Sequence, residues 1–144
     1  MKNKSKILGF GHAQDPLDLA SRKDLVTLRA TTQAAQKSYQ MSGVGPDQIQ
    51  LAEVHDCFTV AEILAIEDLG FFKKGMGGLA TLNNKTRLNG KVAINLSGGL
   101  KAFGHPIGAT GIKQIAYVAQ KIEDEGYKLG LTHNVGGSGA TAVV

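Results

Sequence analysis

Twice along this chain a short apolar run breaks at a sharp junction and passes into a stretch of helical periodicity. That repeated order constrains the fold more than any other feature. In the first instance Gln48–His55 (QIQLAEVH) reads as a strand, and Val60, Ile63 and Leu64 then give a helical face starting at Thr59 and reaching Leu69. In the second, Lys91–Leu96 (KVAINL) reads as a strand and the glycine-rich SGGLKAFGHPIGATG follows it. Ile112, Ile115, Ala116, Ala119 and Ile122 then define an amphipathic helix that ends near Gly126. Upstream, Ser5–Ala13 (SKILGFGHA) is short, apolar and bounded by turn residues, which predicts a buried strand. Asp24 is placed to cap a helix running to Met41, with Leu25, Leu28, Thr32, Ala35 and Tyr39 at helical spacing and Ser42-Gly43 and Pro46 to stop it. Downstream, Lys128–Asn134 and Ala140–Val144 are expected to be strands, and the link Val135–Gly139 is too short for a crossover helix, so an antiparallel pair is predicted. Five strands and three helices give a layered α/β or α+β domain with a mixed sheet.

Length and composition restrict the function classes. A chain of 144 residues with 42% hydrophobic content is one globular domain, spanning 1–144. Lys2, Lys4 and Lys6 look like the start of a signal peptide, but Gly9 and Gly11 interrupt the apolar residues that follow, and no run of roughly eighteen apolar residues occurs anywhere. A cytoplasmic protein without a membrane span is expected. The single cysteine, Cys57, has no partner for an internal disulfide. A net charge of +4, spread without an aromatic-interleaved basic stripe, argues against nucleic acid. Glycine accounts for 19 residues, clustered at Gly75 to Gly78, Gly98 to Gly111 and Gly136 to Gly139, where tight turns or close backbone approach to a ligand are expected.

Reactive side chains gather at the predicted strand ends, where α/β sheets present their ligand sites. In His55-Asp56-Cys57-Phe58 the thiol precedes a helix N-terminus, whose N–H groups favour a thiolate, and a histidine stands two residues away. The plain alternative is a small buried hydrophobe. In Gly104-His105-Pro106 a stiff turn aims His105, and the following helix start offers donors to an oxyanion; a turn histidine satisfied by a backbone carbonyl is the alternative. Neither GK[ST] nor GxGxxG occurs, which disfavours a nucleotide-phosphate loop. In Thr132-His133-Asn134-Val135-Gly136-Gly137 the two polar side chains alternate, so at most one of His133 and Asn134 lines a site. Zinc is disfavoured because neither CxxC nor HxxxH is present, and no metal is expected. His12 stands without context.

Together these segments resemble the C-terminal domain of thiolases over nearly the whole chain. AEVHDCFTVAEILAIEDLGFF is similar to the sterol-carrier-protein-type and archaeal acetoacetyl-CoA thiolase branch, in which HDCF stands where other thiolases have NEAF. NLSGGLKAFGHPIGATG resembles the NP-GG-GHP-GATG loop, with Leu96 in place of the proline, and GLTHNVGGSGATAVV resembles the terminal hairpin, with HN where many thiolases carry the cysteine of CxG. The resemblance implies an α/β thiolase-like layered domain, a five-stranded mixed sheet with helices on both faces. It implies an acyltransferase, an acetyl-CoA acetyltransferase or 3-ketoacyl-CoA thiolase, that makes or breaks a C–C bond in short 3-ketoacyl-CoA thioesters, with the coenzyme A thioester as substrate and no tightly bound cofactor.

The same resemblance assigns roles. Cys57 becomes the acid/base at the α-carbon, His105 activates the nucleophile and stabilises an oxyanion, and His55 replaces the NEAF asparagine in the oxyanion hole, directly or through water. Asp56 orients, Asn134 holds a water or carbonyl in place of the missing cysteine, and Gly137 supports the hairpin. Gly104 and Phe58 are the positions expected to meet the thioester. The nucleophilic cysteine and the loop that forms most of the coenzyme A pocket lie in the N-terminal half, which this chain lacks. A partner half and an oligomer are therefore expected. Two other readings compete: a non-catalytic thiolase-like subunit that scaffolds a complex, with a synthase or a zinc-ribbon/OB-type partner, and a stand-alone cysteine hydrolase built on Cys57 and His105. Intact HDCF and GHP argue against the first.

Overall fold

The computed structural model describes residues 5–144, so Met1, Lys2 and Lys4 of the basic start lie outside the described residues. In chain order the elements are β1 (His12–Gln14), α1 (Arg29–Ser42), β2 (Leu51–Glu53), α2 (Thr59–Asp68), α3 (Gly77–Leu82), β3 (Ala93–Ile94), α4 (Gly99–Phe103), α5 (Thr110–Glu125), β4 (Gly130–Thr132), β5 (Asn134–Gly136) and β6 (Thr141–Val143). Short 3-10 turns occupy Leu19–Ser21 and Pro46–Gln48.

The expected five-stranded mixed sheet is instead two sheets of three strands. One is parallel in the order β3-β2-β4, with Ala52 opposite both Ile94 and Leu131. The other is antiparallel in the order β1-β6-β5, with Ala142 between Ala13 and Val135. The cause lies at His133. Its N–H donates to Glu53 O at 2.9 Å, the last rung of the parallel ladder, and Asn134 already pairs with Val143 in the other sheet. The stretch read as one strand, Lys128–Asn134, therefore divides between the sheets. The expected antiparallel pairing of Ala140–Val144 is made with β5, which takes only Asn134 from that stretch and adds Val135 and Gly136 from the segment expected to be a link, and β1 pairs on the other edge of β6.

Two further expectations need correction. Ser5–Ala13 is strand only from His12, and Ile7, Leu8 and Phe10 are exposed. This segment crosses α1 closely: a Cβ on Gly11 would stand 1.9 Å from Ala34 O, so glycine is required there. The stripe of small buried residues on α1, Ala30, Ala34, Ala35 and Ser38, permits that approach. The helix itself begins at Arg29. Asp24 instead closes a local turn, accepting from Val26 N at 2.8 Å and Thr27 Oγ1 at 2.5 Å, and the first turn of α1 is capped from α2, where Asp68 Oδ2 accepts from Leu28 N at 2.6 Å.

The core forms where β2 runs between its neighbours: Leu51, Ala52 and Val54 are fully buried, Ala52 and Val54 in one cluster with Ala65, Ile66, Leu69 and Phe71 from α2 and the turn beyond it, and Leu51 in a second with Ala93 and Val118. Helix α1 lies on the antiparallel sheet and α5 on the parallel one. Helix α5 is turned against its expected face. Ile112, Ile115 and Ala116 are exposed, whereas Thr110, Gln114 and Val118 are buried. Among the described residues no helix is long and apolar enough to cross a membrane.

Candidate active site

The three parallel strands end side by side, and the chain leaving each one contributes to a single cluster. Beyond β2 stands His55, 5% exposed, whose Nδ1 lies 3.2 Å from Asn134 Oδ1, at the exit of β4. Beyond β3 the glycine-rich loop carries His105. Its ring meets the His55 ring edge to face, with centroids 4.9 Å apart and planes at 84°. Burial pulls the His55 imidazole below its usual range; the Asn134 hydrogen bond opposes this, neighbouring His105 adds to it, and Asp56 opposes it. A neutral His55 is the form that follows at neutral pH.

His105 is held by Thr110, whose Oγ1 is 2.8 Å from His105 Nδ1 and donates to Pro106 O at 3.2 Å. The hydroxyl has one proton, so towards His105 it accepts, and His105 carries its hydrogen on Nδ1 with Nε2 left as a lone pair. A neutral imidazole in that state is a base.

Asp56 turns away from this pair. Its Oδ1 accepts from Leu100 N at 2.8 Å, at the start of α4. The fit is tight, since a Cβ on Gly99, which sits at φ +63°, would stand 2.2 Å from Asp56 Oδ2. The carboxylate thus holds the loop that carries His105. Cys57 and Phe58 are exposed, Phe58 at the N-cap of α2 and Cys57 one residue before it. Gly104 ends α4, its N–H donating to Leu100 O at 2.8 Å, with open space beside its Cα. Gly137 lies in the β5–β6 turn at φ +54°, beside Leu17 and away from the histidine pair in its contacts. His133 is fully buried, its Nε2 2.9 Å from Thr31 Oγ1, so of the alternating pair only Asn134 reaches His55. His12 is on β1, with its backbone carbonyl bound by Lys37.

Several contributors were given no role from sequence, although Asn95 and Ser97 lie in NLSGGLKAFGHPIGATG and Glu53 and Glu62 in AEVHDCFTVAEILAIEDLGFF. Asn95, at φ +51°, accepts from Val54 N at 2.7 Å and donates to Glu62 at 3.2 Å, tying the ends of β2 and β3 to α2. Glu53, fully buried, takes the backbone N–H and hydroxyl of Ser97, and Lys113 reaches Ser97 Oγ at 2.6 Å and Glu53 at 3.6 Å. Gln114 binds Asn134 and, at 3.5 Å, the His133 carbonyl. The one local signal for Gln114 is that it stands one helical turn after Thr110, two polar residues on a shared face. Among the described residues no three His, Cys, Asp or Glu side chains gather so as to hold a metal ion.

Fold and site define a layered α/β domain that gathers hydrogen-bonding and acid/base groups at the carboxyl ends of a parallel sheet. Residues 11–144 match a family model described as thiolase C-terminal domain-like. The chain belongs to the thiolase family, as a C-terminal domain. It is 48% identical over 139 residues to an acetyl-CoA acetyltransferase of Methanothermobacter thermautotrophicus, covering 92% of this chain and 36% of that protein. It is 41% identical over 118 residues to sterol carrier protein 2 of Rattus norvegicus, covering 77% of this chain and 22% of that one. A solved structure titled Ltp2-ChsH2(DUF35) aldolase shares the fold, with a TM-score of 0.80 at 19% identity over 95% of this chain and 38% of that one. The chain thus spans about a third of the length of the acetyltransferase it matches.

Proposed function

We propose that this chain is the C-terminal half of a thiolase-type acyltransferase that forms or cleaves a C–C bond in short 3-ketoacyl-CoA thioesters, in a complete enzyme whose N-terminal half supplies the nucleophilic cysteine. The observation that carries the reading is the convergence of His55 and His105, with ring centroids 4.9 Å apart, and the exposed Cys57 stands two residues beyond His55 and just before the N-cap of α2. In the cleavage direction His105, with its Nε2 lone pair, takes the proton of the partner half's thiol, which attacks the ketone carbonyl. The bond to the α-carbon breaks, the electron pair stays on the departing thioester enolate, and Cys57 delivers the proton to that carbon. Coenzyme A then takes the acyl group. In the condensing direction the Cys57 thiolate removes the same α-proton. His55 serves the enolate oxygen, directly or through water, and Asp56 holds the loop of His105. Gly104 and Phe58 border the open side where the thioester enters, with coenzyme A as a substrate and not a resident cofactor. The assembly is oligomeric.

The test is turnover of acetoacetyl-CoA with free coenzyme A by the assembled enzyme. Cys57→Ala and His105→Ala each lower kcat by about 10³-fold, the scale of a lost general acid or base. Both side chains are exposed, so the melting temperature stays at the wild-type value. Wild-type rates in both variants would refute the reading.

A further inference from the structure

We propose that Gln114 is a positioning residue that, through Asn134, fixes the His55 imidazole with its hydrogen on Nδ1 and leaves Nε2 as a hydrogen-bond acceptor. The direction of the chain of hydrogen bonds is set at its far end. The His133 backbone carbonyl only accepts, so the Gln114 group 3.5 Å from it is the amide nitrogen. Gln114 Oε1 is then the atom presented to Asn134, and it accepts from Asn134 Nδ2. Asn134 is left with its oxygen towards His55, and Oδ1 accepts from His55 Nδ1 at 3.2 Å. Reversing the amides would set Gln114 Oε1 against a carbonyl oxygen at a residue only 2% exposed, where no water relieves the repulsion. Thr110 does the same for His105 one turn earlier on α5.

Both histidines therefore present Nε2 lone pairs, and α5 spends its buried polar positions on arranging them. The consequence, which rests on the functional reading above, concerns the enolate. A neutral His55 with a lone pair on Nε2 cannot donate directly to an oxyanion. It holds a water, which gives one hydrogen to Nε2 and the other to the thioester oxygen.

The test reads the tautomer itself. This chain, labelled with 15N-histidine in the form in which it purifies, has four histidines, whose ring nitrogens are separable by two-dimensional NMR. At pH 7.5 His55 is expected to show a protonated Nδ1 and a lone pair on Nε2, and Gln114→Met, which keeps the length and removes both hydrogen bonds, should mix the two tautomers. In the assembled enzyme Gln114→Met lowers kcat by about tenfold with KM little changed, as loss of an orienting partner does. A wild-type His55 protonated on Nε2, or a tautomer that Gln114→Met leaves unmoved, would overturn the proposal. Because the wild-type spectrum alone decides, a variant that fails to fold does not protect it. Absent turnover with the Nδ1–H tautomer in place would overturn the functional reading and leave the role of Gln114 supported.

Discussion

His133 shows how a residue's surroundings override its ordinary chemistry. Its ring is fully buried, Thr31 meets Nε2, and Nδ1 has no partner among the described residues. Burial, with the nearby His55, pulls its pKa from 6.5 to about 3. The folded chain therefore refuses a proton that the unfolded chain takes up below about 6.5. The contribution of His133 to stability is complete above that pH and is lost as pH falls towards the folded value, by at most about 1.4 kcal/mol for each pH unit. His55, lowered mainly by its own burial, adds loss in the same direction. Urea unfolding followed from about pH 7 to about pH 5 should show this decline, and His133→Gln should flatten it. Equal slopes in the two proteins would contradict the account. His55, His105 and Asn134, which the fold brings together, were singled out in sequence at predicted strand ends or in the loop that follows one. Their partners were not. Nothing local marks Gln114 as the neighbour of Asn134, twenty residues away.

At the scale of elements, the helix starts are decided by distant carboxylates. Asp68 caps α1 across 40 residues, Asp56 caps α4 across 44, and Glu67 Oε1 accepts from Gly77 N at 2.7 Å to begin α3. Helices α3 and α4 open on glycine, a poor helix former, and neither has a capping side chain of its own. For that reason both read as loop in sequence, and α1 read as starting five residues early, at the aspartate that has a local turn to close. The tightest of these junctions yields a prediction. Gly99→Ala combines a left-handed φ with a Cβ driven into the Asp56 carboxylate, so it should cost about 2 to 3 kcal/mol in urea unfolding. It should also release the loop of His105. Gly126→Ala, in the left-handed region at the end of α5 (φ +79°) with open space beside it, pays only for that φ and should cost about 1 kcal/mol. Equal losses would show that the Asp56 contact does not hold the loop.

At the scale of the whole molecule, the apolar side of α5 remains uncovered. The exposed Ile115 and the half-buried Ala119 and Ile122 line a cleft of about 650 Å³ together with Ile7, Leu8 and Phe10. Amphipathic periodicity identified this stripe correctly as apolar, but the chain itself buries the other side of the helix. A partner half that completes the fold would cover such a face. Native mass spectrometry of the protein purified from its source at low salt should find this chain with a polypeptide of about 25 to 30 kDa, the size of a further domain with a loop insertion. Recovery of the chain alone, or only with itself, would remove support for a two-part enzyme.

Sequence by itself determined the layered α/β class of the fold, the two strand-to-helix repeats built on β2 and β3, and which residue types would follow those strands, while α3, α4 and β5 went unmarked. Periodicity and turn chemistry act over a few residues and are written locally, and α2 and α5 accordingly lie where their spacing placed them. Tertiary structure alone decided three further things: the division into two sheets at His133, the capping of helices from other elements, and the burial of the polar face of α5. Each depends on hydrogen-bond partners or neighbouring surfaces tens of residues apart. A buried donor or acceptor must find its partner wherever the fold supplies one, and the local sequence does not record where that is.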